Sequence, residues 1–184
     1  MIVASARLAD ASNPNLYLVW QDLRNDSGDI YLQKLDAQGN RLWAHDHRVN
    51  NDDGSATQAS PAAIVDMTGN VLIVWMDDRN GNNDIYAQRF SPQGEALWVE
   101  DIRIHDDTGT AEQGAPMLAT VGTGLAIVAW HDNREGDYNV YLQPLDDNGA
   151  RQWTADKRVN QDNSLAAQTY PVVSGAADLS LIHI

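Results

Sequence analysis

The chain has 184 residues, no cysteine and a formal net charge of −14 at pH 7. That length holds one domain with a real core, and the missing cysteine excludes a disulfide frame and a thiolate metal site. So acidic a chain is repelled by phosphate backbones and anionic lipid, and no apolar run has the length of a membrane helix, so neither nucleic acid nor membrane insertion is expected.

The predicted elements are clearest from Pro61 onward. AAIVD (62–66) is a short apolar strand that ends in the turn MTGN (67–70). VLIVWMD (71–77) is a continuous apolar run rich in β-branched residues, which predicts a strand covered on both faces. DDRNGNND (77–84) is a polar hairpin turn, and DIYAQRF (84–90) alternates as a strand does. SPQG (91–94) is the next turn, EALWVEDIRI (95–104) the predicted fourth strand, and HDDTGTAEQGAP (105–116) a crossing to the next unit. No segment carries a helical period.

The same elements recur with a period of 55 residues. Trp20, Trp75 and Trp130 keep that step, as do Asp22, Asp77 and Asp132, and Arg24, Arg79 and Arg134. So do Tyr31, Tyr86 and Tyr141, then Gly39, Gly94 and Gly149, then Trp43, Trp98 and Trp153. Gln58, Gln113 and Gln168 each stand three residues before a proline: Pro61, Pro116 and Pro171. A fixed period of this size means stacked supersecondary units. Four antiparallel strands per unit, repeated radially, describe an all-β fold, the β-propeller. The expected single repeat domain, 1–184, has blade 1 at about 2–49, blade 2 at about 61–104, blade 3 at about 116–159 and a half blade at about 171–184. That is about 3.5 blades, a partial ring completed by other copies of the chain or by remaining blades of a longer parent chain.

Within each W-x-D-x-R, Asp and Arg are two apart at a strand end and share a face, which predicts a structural salt bridge in every unit: Asp22–Arg24, Asp77–Arg79 and Asp132–Arg134. Trp20, Trp75, Trp130, Tyr31, Tyr86 and Tyr141 are the expected repeat core aromatics. Trp43, Trp98 and Trp153, on the outer segment, are the candidates for stacking on a ligand such as a sugar ring. The acidic turns offer Asp26, Asp29, Asp84 and Asp137 as oxygen ligands for calcium, although an arginine fills the middle ligand slot of the helix-loop-helix calcium motif. The expectation is no cofactor, with calcium as the alternative. No residues break the repeat and converge as a catalytic set would, so no catalytic residue is assigned.

DDRNGNNDIY (Asp77–Tyr86) resembles the turn and strand of TolB-type periplasmic propellers. The wider pattern W-x-D-x-R, D-I-Y-x-Q, G-x-x-x-W, Q-x-x-P is similar to propeller-like repeats of large secreted bacterial proteins and spans nearly the whole chain. The resemblance implies an extracellular, periplasmic or envelope setting and a non-enzymatic scaffold or protein- or glycan-interaction role; the unclosed ring adds the expectation of self-assembly through open blade edges. DAQGNRLW, SPQGEALW and DNGARQW resemble more loosely the Asp-box of sialidase-type propellers. Two alternatives follow, part of a glycan-active propeller enzyme and a calcium-stiffened adhesion repeat.

Overall fold

The computed structural model describes residues 3–7, 15–25, 27–121, 125–161 and 166–175, with only the backbone of 3–7. Among the described residues there is no helix, and the strands form three antiparallel sheets of four. The first holds β1 (Val3–Arg7), β2 (Leu16–Asp22), β3 (Asp29–Leu35) and β4 (His47–Arg48). The second holds β5 (Gln58–Val65), β6 (Val71–Asp77), β7 (Asp84–Phe90) and β8 (Ile102–Arg103). The third holds β9 (Gln113–Val121), β10 (Leu125–Asp132), β11 (Asn139–Leu145) and β12 (Lys157–Arg158). Strands are neighbours in chain order, so each sheet is a meander.

The sheets stack because each middle strand is apolar on both faces. In the second sheet Val71, Ile73, Trp75, Tyr86 and Phe90 turn to the first sheet and meet Tyr17, Val19, Ile30, Leu32 and Val49. Leu72, Val74, Ile85, Ala87 and Ile104 turn the other way, onto Ala126, Val128, Trp130, Tyr141 and Leu145 of the third. The alternation of a strand thus sends successive residues into two separate apolar layers. First strands are neighbours, β1 beside β5 and β5 beside β9.

Three details differ from the sequence reading. The fourth strand of each unit is two residues long: ahead of it the outer segment forms one isolated backbone bridge, Phe90 with Ala96, where Leu97 N donates to Arg89 O at 2.7 Å, and then the Gln88 side chain takes over, accepting from Trp98 N and donating to Trp98 O, each at 3.3 Å. Gln143 holds Trp153 in the same way, and Gln33 accepts from Trp43 N. The first strands of the second and third units begin at Gln58 and Gln113, three residues ahead of the repeated prolines. The proline then sits in a bulge that follows a left-handed residue, Ser60 (φ 52°) in β5 and Ala115 (φ 48°) in β9. Of the half blade at 171–184, residues 171–175 form no strand and the rest lie outside the described residues.

Candidate functional site

The repeated W-x-D-x-R places one polar network at the end of the second strand in every unit. In the second unit Trp75 Nε1 donates to Asp77 Oδ2 at 2.9 Å. Arg79 folds back on Asp77 through Nε at 3.0 Å and Nη2 at 2.6 Å, while its backbone N–H caps the same carboxylate at 3.0 Å. Arg79 Nη2 also reaches Asp101 at 2.9 Å, and its guanidinium lies 4.3 Å from the centre of the Tyr86 ring. The third unit repeats this with Trp130, Asp132, Arg134, Asp156 and Tyr141. The first unit repeats it with Trp20, Asp22, Arg24, Asp46 and Tyr31. Each arginine is therefore held between two carboxylates and over an aromatic face, a geometry that suits its planar fork.

Exposure separates the units. The side chains of Asp77, Asp101, Asp132 and Asp156 are fully buried, and Arg79 and Arg134 are 18% and 17% exposed, whereas Arg24 is 47% exposed. A neighbour makes the difference. Asn51 N, in the crossing that leaves the first unit, donates to Asp101 Oδ2 at 2.9 Å, and Asp106 N donates to Asp156 Oδ2 at 2.9 Å. Asp101 and Asp156 thus each join two units. Burial pushes the Asp101 and Asp156 carboxyls above the usual carboxylate range. Burial also opposes ionisation of Asp106, but its hydrogen bonds with Asp156 and Arg134 outweigh that and hold it down at about 2. The Arg24 hydrogen bond likewise holds Asp22 at about 2.

These directions set an acid profile. Asp22 and Asp106 are more acidic folded than unfolded, so the stability they add is present above about pH 4 and is lost as pH falls towards 2. Asp101 and Asp156 carry raised values, so protonating them favours the folded chain as pH falls towards the ordinary carboxylate value. The melting temperature should climb on mild acidification and then drop below about pH 4. Asp106→Asn should flatten the drop, as read by thermal melts from pH 2 to pH 8; an unchanged acid limb would contradict it.

The outer tryptophans lean on the following unit. A Cβ added at Gly94 (φ 89°) would stand 3.3 Å from Trp43 Cε2 and 2.9 Å from His47 Cε1. One added at Gly149 (φ 78°) would stand 3.1 Å from Trp98 Cη2, and Trp98 Nε1 donates to Asp147 O at 3.2 Å. Trp43 and Trp98, read from sequence as ligand-stacking candidates, are half-buried against the next unit's turn. Trp153 is half-buried too, with Lys157 Nζ 4.6 Å from its ring.

Of the candidate calcium ligands, Asp26 lies outside the described residues and Asp137 is half-buried. Asp29 and Asp84 open β3 and β7, buried, and are engaged by amides: Asn25 and Asn50 on Asp29, Asn80 on Asp84. No group of three or more acidic or histidine side chains that would hold a metal occurs among the described residues. An open depression beside the second hairpin is lined by Asp52, Gly54, Ser55, Ala56, Asp78, Arg79 and Gly81.

Sequence reasoning missed two repeat positions that the same 55-residue step contains. One is Asp46, Asp101 and Asp156, the second carboxylate of each network. The other is Asn50, His105 and Asn160. Asn50 Nδ2 donates to Asp29 Oδ1 (2.9 Å) and Gln58 Oε1 (3.2 Å), and its Oδ1 accepts from Ile30 N (2.8 Å). Asn160 does the same with Asn139, Gln168 and Val140. In the second unit His105 fills this place, buried, with Nε2 3.1 Å from Asp84 Oδ1 but no well-directed hydrogen bond at either ring nitrogen; Gln113 Oε1 also lacks one. His105→Asn should restore the amide clasp. The expected gain is ~1 kcal/mol, a rise of roughly 2–4 °C in melting temperature, and a fall would show that the imidazole's volume matters more than its hydrogen bonds.

Among the described residues, the fold and this network together define an all-β repeat architecture of three four-stranded antiparallel units. No family model and no curated protein matches the chain. Among solved structures it is similar to an endo-arabinase from Bacteroides thetaiotaomicron, at 14% identity and a TM-score of 0.46, over 77% of this chain. The chain spans 55% of that enzyme's length.

Proposed function

We propose that the chain is a non-enzymatic scaffold or interaction module of a secreted bacterial repeat protein, its units arranged as blades of a β-propeller that presents a protein or glycan ligand surface. The observation that carries this reading is the use of the same charged groups for the same structural purpose in all three units. Asp77, Arg79 and Asp101 bind one another, as do Asp132, Arg134 and Asp156, and the second carboxylate of each set also fastens the preceding crossing. Folding demands apply equally to every repeat, whereas catalysis needs one site that departs from the repeat. The stacking of the sheets with their first strands adjacent supports the blade reading, since blades around an axis bring their first strands together.

The test is a panel of fluorogenic glycosides together with thermal melts in calcium and in chelator. The expected result is no turnover and no calcium-dependent shift. Turnover would replace this reading with a glycan-active enzyme, and a melting temperature that rises with calcium would replace it with a calcium-stiffened adhesion repeat.

A further inference from the structure

Each unit has one face that receives the unit before it and one that covers the unit after it; among the described residues, the receiving face of the first unit and the covering face of the third are less buried than their counterparts. On the covering face, Ile30, Leu32 and Val49 of the first unit and Ile85, Ala87 and Ile104 of the second are buried. The same positions in the third are Val140, Leu142 and Val159; the first two are half-buried and Val159 is 48% exposed. On the receiving face, Val71, Ile73 and Trp75 are fully buried, and Ala126, Val128 and Trp130 are buried. Their counterparts in the first unit, Leu16, Leu18 and Trp20, are half-buried.

A second, independent contact shows the same polarity. Trp43 and Trp98 each rest against the turn glycine of the following unit, Gly94 and Gly149. The first unit's glycine, Gly39 (φ 83°), has the same backbone, yet a Cβ added there would meet nothing within 4 Å. Trp153 is therefore a knob of the third unit, and Gly39 an open socket on the first. The polar network agrees. Asp101 and Asp156 each accept a backbone N–H from the crossing of the preceding unit, from Asn51 and Asp106, while Asp46 keeps 18% exposure. The residue one repeat after Asp106 is Gln161, which is exposed.

We propose that this chain binds a second copy of itself head to tail, with Val140, Leu142 and Val159 of one copy covering Leu16, Leu18 and Trp20 of the other, and Trp153 seated on the other's Gly39. The interface continues the joint that the chain already forms twice internally, between its first and second and its second and third units. In that joint Gln161 N meets the other copy's Asp46. The segment that starts at Gln168 fits this arrangement as the incoming unit's first strand. Gln168 N donates to Tyr138 O at 2.7 Å, as Gln58 N does to Gly28 O and Gln113 N to Asn83 O, both at 2.8 Å. Tyr170 (φ 55°) precedes Pro171 as Ser60 precedes Pro61. β1, which starts opposite Trp20, carries no such Gln-x-x-Pro, and it is the strand this segment replaces on β2 of the other copy. Two copies joined at both ends make a closed pair, and copies joined at one end make an open chain.

The inference rests on reading the units as stacked blades, and its failure is a monomeric mass, distinct from the glycoside turnover or calcium shift that would overturn that reading. Light scattering behind a sizing column should give twice the chain mass or a ladder of its multiples; a monomer at high concentration would overturn the proposal. Polarity is tested by mixing. Leu18→Asp spoils only the receiving face and Leu142→Asp only the covering face, so a Leu142→Asp chain alone should be monomeric, and the two mixed should form a one-to-one pair through their intact faces. A Leu142→Asp chain that still self-associates overturns the head-to-tail interface. Thermal melts check that both variants fold. Should either not fold, Trp153→Ala supplies the reading, with an expected weakening of self-association of about tenfold or more; unchanged association would overturn the knob-and-socket contact.

Discussion

Replacing Arg79 by methionine is expected to lower the folding stability of the chain by ~3–5 kcal/mol, a fall in melting temperature on the order of 10 °C. The reason is what it leaves behind. Asp77 and Asp101 are fully buried side chains, and Arg79 is the cation that pairs with both. Methionine fills much of the space of the arginine stem but leaves two carboxylates facing each other out of water. The same change in the first unit, Arg24→Met, should cost a small fraction of that, because Arg24 is 47% exposed and water screens Asp22 and Asp46. Two chemically identical substitutions one repeat apart thus separate burial from chemistry. The loss at Arg79 should also depend on pH. Burial already raises the Asp101 carboxyl, and losing the cation raises it further, so the variant's deficit is largest near neutrality and narrows as pH falls and the carboxyl takes up a proton. Adding Asp101→Asn to Arg79→Met should recover part of the loss at pH 7. Melts of the four chains at pH 5 and pH 8 check this, and equal losses for Arg24→Met and Arg79→Met would contradict it.

Much of the fold was legible in the sequence, because strands buried on both faces leave continuous apolar runs. VLIVWMD and DIYAQRF coincide with β6 and β7 to the residue. The split of alternate residues between two layers also followed from the pleat, with Ile85 and Ala87 on one side and Tyr86 and Phe90 on the other. The outer segment was not legible. EALWVEDIRI has the composition of a strand, yet only Ile102 and Arg103 form one, since after the isolated Phe90–Ala96 bridge the side-chain amide of Gln88 takes the backbone of Trp98 in place of a continued ladder. Composition carries no sign of such a substitution; only the repetition of Gln33, Gln88 and Gln143 hinted at it. In the network, the Asp two residues before each arginine was readable because it lies next to its partner in the strand. Asp101 was not, because it reaches Arg79 from 22 residues away across the hairpin, and nothing local marks it apart from the shared period. The outer tryptophans show the same limit. Their spacing was visible, but whether an indole faces solvent or the next unit's glycine depends on how the sheets stack.

Truncating Trp75 to alanine is expected to cost ~3–5 kcal/mol, on a par with the loss of Arg79, but by a different route. The indole is fully buried between the first and second units, in a layer with Ile30, Leu32 and Val49 on one side and Val71 and Ile73 on its own. Its removal leaves a cavity that two stiff sheets close only in part. It also takes a hydrogen bond from Asp77, whose acceptor Oδ2 then depends on Arg79 alone. Trp75→Phe separates the two costs. The phenyl ring keeps most of the packing against Tyr86, with which the indole stacks at 6.5 Å between ring centres, and gives up only the N–H. Its expected loss is ~1–2 kcal/mol. In the dissociated chain, Trp20→Ala should cost less than Trp75→Ala, because Trp20 is half-buried there. Position within the stack also predicts how each variant unfolds. In a repeat protein stability is a sum of unit terms and interface terms, and cooperativity lives in the interfaces. Trp75 belongs to the joint between the first and second units, so its loss should uncouple the first unit and split or broaden the calorimetric transition. Trp20→Ala should lower stability and leave a single transition. A Trp75→Ala chain that still melts in one sharp step would mean that the joint is carried by the polar contacts between crossing and outer segment, Asn51 to Asp101 above all, rather than by the apolar layer.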